Sequence, residues 1–223
     1  MSVLSDRLKV IASFVPKGKS VCDVGTDHGY LPAALCLSGD FKSVTATDIR
    51  EKPLKKAAEN LARFGANDVG LILCNGLSAV PYEKAETVII AGMGGDVISG
   101  IIDRCPYKEK SLFILQPMSA APVLREYLAS NGFEIKKETA VIDNKRIYPV
   151  MCCRFDGKKR VITSLQKRIG AIKPDTKANS DYIKRQLKIV DKCIEDLEKA
   201  NINSDFLHEN LNVREELIKV LEG

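Results

Sequence analysis

The chain has 223 residues, of which 45% are hydrophobic and 28% charged, and this balance excludes bulk disorder. Its length suffices for one α/β core with an appendage, or for two small domains. The net charge of +5 allows an anionic partner without requiring one. No apolar run approaches the roughly 20 residues that cross a bilayer, and no basic segment followed by an apolar one opens the chain. We therefore expect a cytoplasmic protein with no membrane partner.

The seven cysteines form no C-x-x-C pair, and several lie in apolar runs where free thiols pack as small hydrophobic side chains. Only His28 and His208 could join them in a metal site. We therefore expect reduced, structural cysteines and no bound metal.

Strands and helices alternate along the first part of the chain. Leu4, Leu8, Ile11 and Val15 recur at helical spacing and predict an amphipathic first helix. After a first strand that ends near residue 24, strands are predicted at 43–47, 69–74, 87–91 and 111–115, and helices at 53–63 and 122–131. This alternation favours parallel pairing of the strands.

The pattern changes after residue 132. The dipeptide Gln116-Pro117 is expected to break the fifth strand, and extended runs at 133–142 and 147–155 predict an antiparallel hairpin that closes the sheet. Strands are absent from the pattern after residue 155. We predict an α/β domain at 1–155 and a helical domain at 156–223.

The predicted helical domain carries a heptad seam, formed by Ile183, Leu187, Val190, Ile194 and Leu197, which requires a partner helix. The candidate partners are a stripe of Val161, Leu165, Ile169 and Ile172, and a last helix with Leu207, Leu211, Ile218 and Leu221. The seam could be covered within one chain or between chains, so the oligomeric state stays open, with a monomer slightly favoured.

A basic segment opens this domain. Lys158, Lys159 and Arg160 are followed by Lys167 and Arg168 with no acidic residue between them. One interpretation is a solvated helix face, and the other is a patch that contacts RNA phosphates.

A glycine turn follows the first strand, and Asp48 ends the second, which is a general arrangement for binding a nucleoside. The turn lacks the G-x-G-x-x-G spacing of pyrophosphate-binding loops. Asp23 and Asp27 would place negative charge where phosphates should lie. A cofactor with a positive end fits better, and S-adenosylmethionine carries a sulfonium next to its adenosine.

Four segments together resemble the bacterial tRNA (adenine-22 N1)-methyltransferase family: LSDRL (4–8), DVGTDHGYLP (23–32), IAGMGG (90–95) and LQP (115–117). The resemblance implies a Rossmann-like, seven-stranded methyltransferase sheet with a C-terminal coiled coil. It also implies S-adenosylmethionine as cofactor, tRNA as partner and N1 of adenine-22 as the methylated atom.

Carried over to this sequence, the resemblance implies a set of cofactor-binding residues: Asp23, Gly25, Thr26, Asp27, Asp48, Ile49, Asn75, Gly76, Ala91 and Gly92. The family often has glycine where Cys74 stands here, a small change because cysteine is also small.

Further residues are candidates for contact with the substrate. His28, Tyr30, Met93 and Gln116 could line the place of the reacting adenine, and each could instead have only a structural role. Arg7 could contact RNA or form a surface pair with its neighbour.

The predicted chemistry needs alignment more than a strong base, because adenine N1 already has a lone pair in the ring plane. A D/N/S-P-P-Y/F/W segment, usual for transfer to the exocyclic nitrogen, is missing after the fourth strand, so ring-nitrogen transfer is preferred. The alternatives are a methyltransferase of this fold acting on another RNA or a small molecule, and a non-catalytic RNA-binding protein with a nucleoside pocket.

Overall fold

A computed structural model describes residues 4–223, so the first three residues of the predicted N-terminal domain lie outside the description. The strands are β1 (Ser20–Val24), β2 (Ser43–Asp48), β3 (Val69–Leu73), β4 (Thr87–Gly94), β5 (Leu112–Ser119), β6 (Phe133–Asp143) and β7 (Arg146–Phe155). They form one sheet in the order β3-β2-β1-β4-β5-β7-β6. The first five are parallel, and β7 is antiparallel to both β5 and β6. The predicted fold class is confirmed.

The helices are α1 (Asp6–Ser13), α2 (Tyr30–Ser38), α3 (Glu51–Phe64), α4 (Gly95–Asp103), α5 (Ala121–Ser130), α6 (Ser164–Ile169), α7 (Lys177–Lys199) and α8 (Asp205–Glu222). A short 3₁₀ turn spans Tyr82–Lys84. Within residues 4–223, no helix combines the length and the apolarity needed to cross a bilayer.

The central strands are buried on both faces, because helices cover each side of the sheet. In β1, Val21 and Cys22 point to opposite faces and enter separate hydrophobic clusters. Ile89 and Ile90 in β4 divide in the same way. The near-continuous apolar runs of the sequence therefore give two cores, one on each face.

Two strands continue beyond their predicted ends. The predicted break at Gln116-Pro117 is wrong, since β5 extends to Ser119. Its extension pairs with the glycine run of β4, where Met93 lies opposite Pro117 and the register shifts on either side of Met93. Parallel pairing with β4 thus keeps Gln116-Pro117 within the strand, although the dipeptide by itself is typical of a strand end.

A buried ionic network joins the C-terminal helices to the sheet domain. Arg125 in α5 donates to Glu138 Oε1 in β6 from Nε (2.9 Å) and Nη2 (2.7 Å), and both side chains are buried. Its Nη1 donates to the carbonyl oxygens of Lys167 and Arg168, at 2.8 and 2.7 Å. Burial lowers the pKa of Arg125, but the Glu138 carboxylate outweighs it and the pKa lies above the ordinary value. The cation therefore stays charged and holds three elements together.

The heptad seam of α7 is covered within the chain. Ile183 and Val190 are fully buried, in a cluster that includes Val213 and Leu217 of α8. The predicted partner stripe is wrong at Val161, which is completely exposed, and the buried face of α8 does not contain Leu211. Val161 lies before α6, where no helix forms, and Leu211 is on the exposed part of α8.

We predict that Arg125→Met lowers the free energy of unfolding by about 3–5 kcal/mol, since it leaves the Glu138 carboxylate buried without its cation. Lys136→Met is the matched control, because it removes the cation from an exposed pair with Glu134 and should cost at most about 1 kcal/mol. Chemical denaturation followed by circular dichroism measures both values. Equal losses in the two variants would contradict a dominant role for the buried pair.

Candidate functional site

A cavity of about 470 Å³ opens at the carboxyl ends of β1, β2 and β4. It lies where the chain order of the strands reverses, between β1 and β4, which is where open α/β sheets bind ligands. Of the predicted cofactor-binding residues, all line the cavity except Asp23 and Thr26. The structure thus brings most of the predicted residues together around one cavity.

The turn after β1 is fixed to the end of β2. Gly25 N and Thr26 N both donate to the Thr47 carbonyl oxygen, at 2.8 and 2.9 Å. Gly25 has φ +80°, and a Cβ there would overlap Met93 Cε, the end of a flexible side chain that could move aside. Glycine is therefore favoured by the backbone conformation, and it leaves space for the methionine that reaches across from β4.

The second turn of this segment is held by α3. Asn60 Nδ2 donates to the His28 carbonyl oxygen at 2.9 Å. Gly29 has φ +69°, and a Cβ there would come within 3.2 Å of Ala57 Cβ. The segment that carries Asp27 and His28 is thus seated on a helix and keeps a fixed position beside the cavity.

Asp48 places a carboxylate in the cavity wall. The residue is 6% exposed, and its Oδ1 accepts a hydrogen bond from Arg50 N at 2.8 Å. The Arg50 guanidinium is 3.8 Å from the same oxygen. A mostly buried carboxylate at the end of β2 can accept hydrogen bonds from ligand hydroxyl groups.

Asp23 lies beneath the turn and does not line the cavity. Burial raises the pKa of its carboxyl to about 6, although a hydrogen bond with Thr26 and the positive charge of Arg7 both lower it. Its carboxyl is therefore a buried group next to the loop, and its cofactor-binding role stays a prediction. Thr26 is also buried, so its backbone and side chain shape the turn from inside.

An aromatic pair follows the cavity residue Asp27 in the sequence and does not line the cavity. The rings of His28 and Tyr30 are stacked with centroids 5.5 Å apart and an interplanar angle of 29°. His28 Nε2 is 3.2 Å from Asp27 Oδ2, and both side chains are substantially exposed. Tyr30 also packs near Phe64, with ring centroids 6.0 Å apart. His28 thus lies beside the cavity residue Asp27, Tyr30 lines a separate apolar groove with Phe64, and Met93 belongs to the cavity wall.

Gln116 differs from its predicted role, since the residue has no exposed surface. Its Oε1 accepts from Arg7 Nη1 (2.7 Å) and from Gly92 N (3.2 Å). A side chain enclosed in this way cannot touch a substrate, so direct contact is wrong for this structure. Arg7 is likewise occupied, because its Nε is 3.4 Å from Asp143 Oδ2 and its side chain is only 20% exposed.

The basic segment at the start of the C-terminal region is far from the cavity. Phe155, the last residue of β7, pairs with Phe133, the first residue of β6, and Arg154 pairs with Leu112 at the start of β5. The residues that follow β7 are Lys158, Lys159 and Arg160. They therefore lie near the amino end of β5, whereas the cavity is at the carboxyl ends of the parallel strands. The length of β5 separates these two ends of the sheet by about 25 Å.

Arg160 is also neutralised by a nearby acid. Its guanidinium pairs with the carboxylate of Asp156 and donates to the Lys158 carbonyl oxygen at 2.7 Å. Hydrogen bonds from Arg160 lower the pKa of Asp156 to about 2. Asp156 precedes the basic run, so the absence of acidic residues within that run does not leave Arg160 unpaired.

Several wall residues were missed by the sequence analysis: Arg50, Cys74, Val97, Ile101 and Arg104. The two α4 residues could have been predicted from the sequence. Val97 and Ile101 are four residues apart, so they share one helix face, and this face is next to that of the core positions Ile98 and Ile102. Val97 is 48% exposed although apolar, which is consistent with a wall that faces a ligand. All seven cysteines are free thiols, and within residues 4–223 no cluster of three or more metal-binding side chains occurs.

Comparison with known proteins gives the class. Residues 4–151 match the family model described as a methyltransferase domain. The seven-stranded topology and the cavity at the carboxyl ends of the strands agree with this match. The fold and the site are those of a methyltransferase.

Individual relatives specify the family. The tRNA (adenine(22)-N(1))-methyltransferase of Bacillus subtilis is 30% identical over 153 residues, 66% of this chain and 63% of that protein. A crystal structure from Streptococcus pneumoniae, provisionally named a tRNA (m1A22) methyltransferase, is 26% identical with TM-score 0.82, covering 98% of this chain and 100% of that one. Its complex with S-adenosyl-L-methionine is 27% identical with TM-score 0.78 and the same coverage. The chain belongs to the tRNA (adenine-22 N1)-methyltransferase family and spans just under two thirds of the Bacillus protein's length.

We predict that the Asp23 carboxyl makes stability depend on pH. Its folded-state pKa of about 6 exceeds the unfolded value, so the folded protein binds this proton more tightly. The free energy of unfolding therefore falls as pH rises from the unfolded pKa to the folded one. Asp23→Asn abolishes this contribution, so the variant gains about 2 kcal/mol relative to wild type between about pH 4.5 and 7.5.

Urea denaturation of both proteins at the two pH values measures this difference, since all other groups titrate alike. Asp68→Asn is the control, because Asp68 is exposed in the loop between α3 and β3. A constant difference between wild type and Asp23→Asn across the pH range would show that Asp23 has an ordinary pKa.

Proposed function

We propose that the protein transfers a methyl group from S-adenosylmethionine to N1 of an adenine in tRNA, with adenine-22 as the expected position. The observation that carries the proposal is the cavity at the carboxyl ends of β1, β2 and β4 in a chain of this family. We also propose that residues 1–155 bind the cofactor and that residues 156–223 assist in binding RNA. Because tRNA is the proposed substrate, we place the enzyme in the cytoplasm.

The residues of the cavity fit this cofactor. Its volume of about 470 Å³ is within the range of small-molecule sites. Asp48 offers a carboxylate for ribose hydroxyls, and the apolar side chains of Val97 and Ile101 offer a surface for the adenine ring. Asp27 in the wall and Asp23 beneath it give a negative potential, which favours a ligand with a sulfonium.

S-adenosylmethionine supplies an activated sulfonium methyl group when it is bound. The remaining task of the protein is to hold a neutral adenine with its N1 lone pair in line with that methyl group. The exposed ring of His28, stacked on the half-buried Tyr30, is a suitable surface for the target base beside Asp27. Since N1 lies on the pairing edge, the adenine must be unpaired or flipped out before it reacts.

Transfer to N1 leaves a positive charge on the product ring. Asp27, 71% exposed beside His28, is placed to stabilise such a charge. No group is needed to accept a proton from N1, because N1 of a neutral adenine carries none. The backbone of Ala91, Gly92 and Met93 has little bulk on this side, which leaves space for a flat base.

Methylation of an unmodified tRNA transcript tests the proposal. With labelled S-adenosylmethionine, nucleoside analysis should give N1-methyladenosine, and a transcript with guanosine at position 22 should give none. Asp48→Asn should weaken cofactor binding about 10-fold or more, by loss of a charged hydrogen-bond acceptor. Asp68→Asn, an exposed change of the same chemistry, should bind normally.

The other outcomes identify the alternatives. N6-methyladenosine would contradict ring-nitrogen transfer, and label on another RNA or a small molecule would assign a different substrate. Cofactor binding with no turnover on any tRNA would indicate a non-catalytic RNA-binding protein.

We further propose that RNA contacts cations on the edge where the cavity opens. Lys145 and Arg146 lie at the β6–β7 turn, at this edge, and both are exposed. Arg185 in α7 donates to the Ile147 carbonyl oxygen at 3.0 Å, beside that turn. Lys188 and Lys192 continue the row along the exposed face of α7.

The course of the C-terminal helices supports this surface. Asn179 near the start of α7 bonds Ala140 in β6, and Arg185 is near the end of the sheet where the cavity opens. Phe206 and Glu209 of α8 then lie near Pro122, at the first turn of α5. The C-terminal end of α7 and the start of α8 are therefore on the side of the cavity, whereas Lys158 and Lys159 are on the opposite side.

We predict that Lys145→Gln with Arg146→Gln raises the Kd for tRNA about 5- to 20-fold and reduces its salt dependence, because two phosphate contacts are lost. Lys158→Gln with Lys159→Gln changes the net charge equally and should alter the Kd less than two-fold. Fluorescence anisotropy at several salt concentrations measures both. A larger effect from the Lys158 and Lys159 substitutions would show that RNA binds at the opposite end of the sheet.

A further inference from the structure

Arg7 and Gln116 form a buried connection between the first helix and the mouth of the cavity. Arg7 Nη1 donates to Gln116 Oε1 at 2.7 Å, the shortest of the contacts made by this guanidinium. Its Nε is 3.4 Å from Asp143 Oδ2, and Ser5 Oγ donates to the same oxygen at 3.3 Å. The guanidinium thus links α1 to the ends of β5 and β6.

Gln116 passes this restraint to the cavity wall. Its Oε1 also accepts from Gly92 N at 3.2 Å, and its Nε2 donates to the Pro117 carbonyl oxygen at 2.9 Å. Both ends of the amide are therefore engaged, which fixes its orientation. Gly92 lines the cavity and has φ +79°, in a stretch where the register between β4 and β5 shifts. The Gly92 amide lies outside the regular pairing of β4 with β5, and it donates to the Gln116 side chain instead.

We propose that Arg7 is a positioning residue for methyl transfer: acting through Gln116, it fixes the Gly92 backbone and so the part of the wall where the target base must sit. The proposal rests on the proposed function. It replaces the expectation that Arg7 contacts RNA, since the guanidinium is occupied on two sides and largely covered.

The charge of Arg7 supports the same role. It is the cation that lowers the pKa of the buried Asp23 carboxyl, in opposition to burial. Arg7 therefore helps to maintain the negative charge beneath the cofactor turn while it orients the neighbouring wall. A lysine at position 7 would retain the charge but could not reproduce the two separate donor positions of the guanidinium.

A double-mutant cycle with Arg7→Met, Gln116→Met and the pair tests the connection, with wild-type protein, S-adenosylmethionine and a tRNA transcript. Each single variant should lower kcat about 10- to 100-fold, since a small displacement of a reacting group has effects of this size. KM for tRNA should change less than two-fold. The pair should be no worse than the poorer single variant, because both changes break the same connection.

Arg7→Lys should recover only part of the kcat lost in Arg7→Met. Arg63→Met, which alters an exposed cation near the end of α3, should leave kcat unchanged. Thermal unfolding of each variant identifies any that are not folded, and Arg7→Lys keeps the test decisive if Arg7→Met unfolds. A rise in KM for tRNA with kcat unchanged would show that Arg7 contacts RNA, and additive losses would show that it does not act through Gln116.

Amide hydrogen exchange separates failure of this proposal from failure of the proposed function. Without any substrate, exchange at Gly92 N should be at least about 10-fold faster in Arg7→Met than in wild type, because Gln116 loses its restraint. Unchanged exchange would overturn the positioning role even if tRNA is methylated. Faster exchange in a protein with no activity on tRNA would overturn only the proposed function.

Discussion

The Thr47 carbonyl oxygen accepts hydrogen bonds from two consecutive amides, those of Gly25 and Thr26, and the geometry of the cavity depends on this contact. It fastens the turn after β1 to the end of β2, so that Asp48 stands beside the glycine turn. The fixed turn also leaves room for the Met93 side chain, whose Cε would overlap any Cβ at position 25. Segments at the ends of β1, β2 and β4 thereby form one wall.

A second restraint lies at the outer strand β6. The Arg125–Glu138 pair and the carbonyl oxygens it reaches connect α5, β6 and the α6 region with no exposed surface at either side chain. The C-terminal helices are thus fixed relative to the sheet domain. For an enzyme acting on tRNA, a rigid connection would keep the cations of α7 at a constant distance from the cavity.

Features that depend on local sequence were predicted well. The turn at Gly25 and the acid at Asp48 each follow a strand directly, and parallel pairing of those strands places them together. Strand number and the return hairpin also follow from short patterns in the sequence.

Features that depend on distant contacts were predicted poorly. Lys158 and Lys159 follow β7, and only the antiparallel pairing of that strand shows that they lie at the edge away from the cavity. Gln116 is buried within β5, and it bonds Arg7, which is 109 positions away in the sequence. Val161 belongs to an apolar stripe by spacing, but no helix forms there to use it.

The contact between Asn179 and β6 has a consequence for self-association. β6 is an outer strand of the sheet, and an outer strand with unpaired amides is a template for addition of another chain. Asn179 Oδ1 accepts from Ala140 N at 2.7 Å and from Thr139 Oγ1 at 3.1 Å, so a side chain takes the place of a neighbouring strand. The helix that is expected to assist in RNA binding thus also covers β6 at residues 139 and 140, which makes this part of the strand less available to another chain.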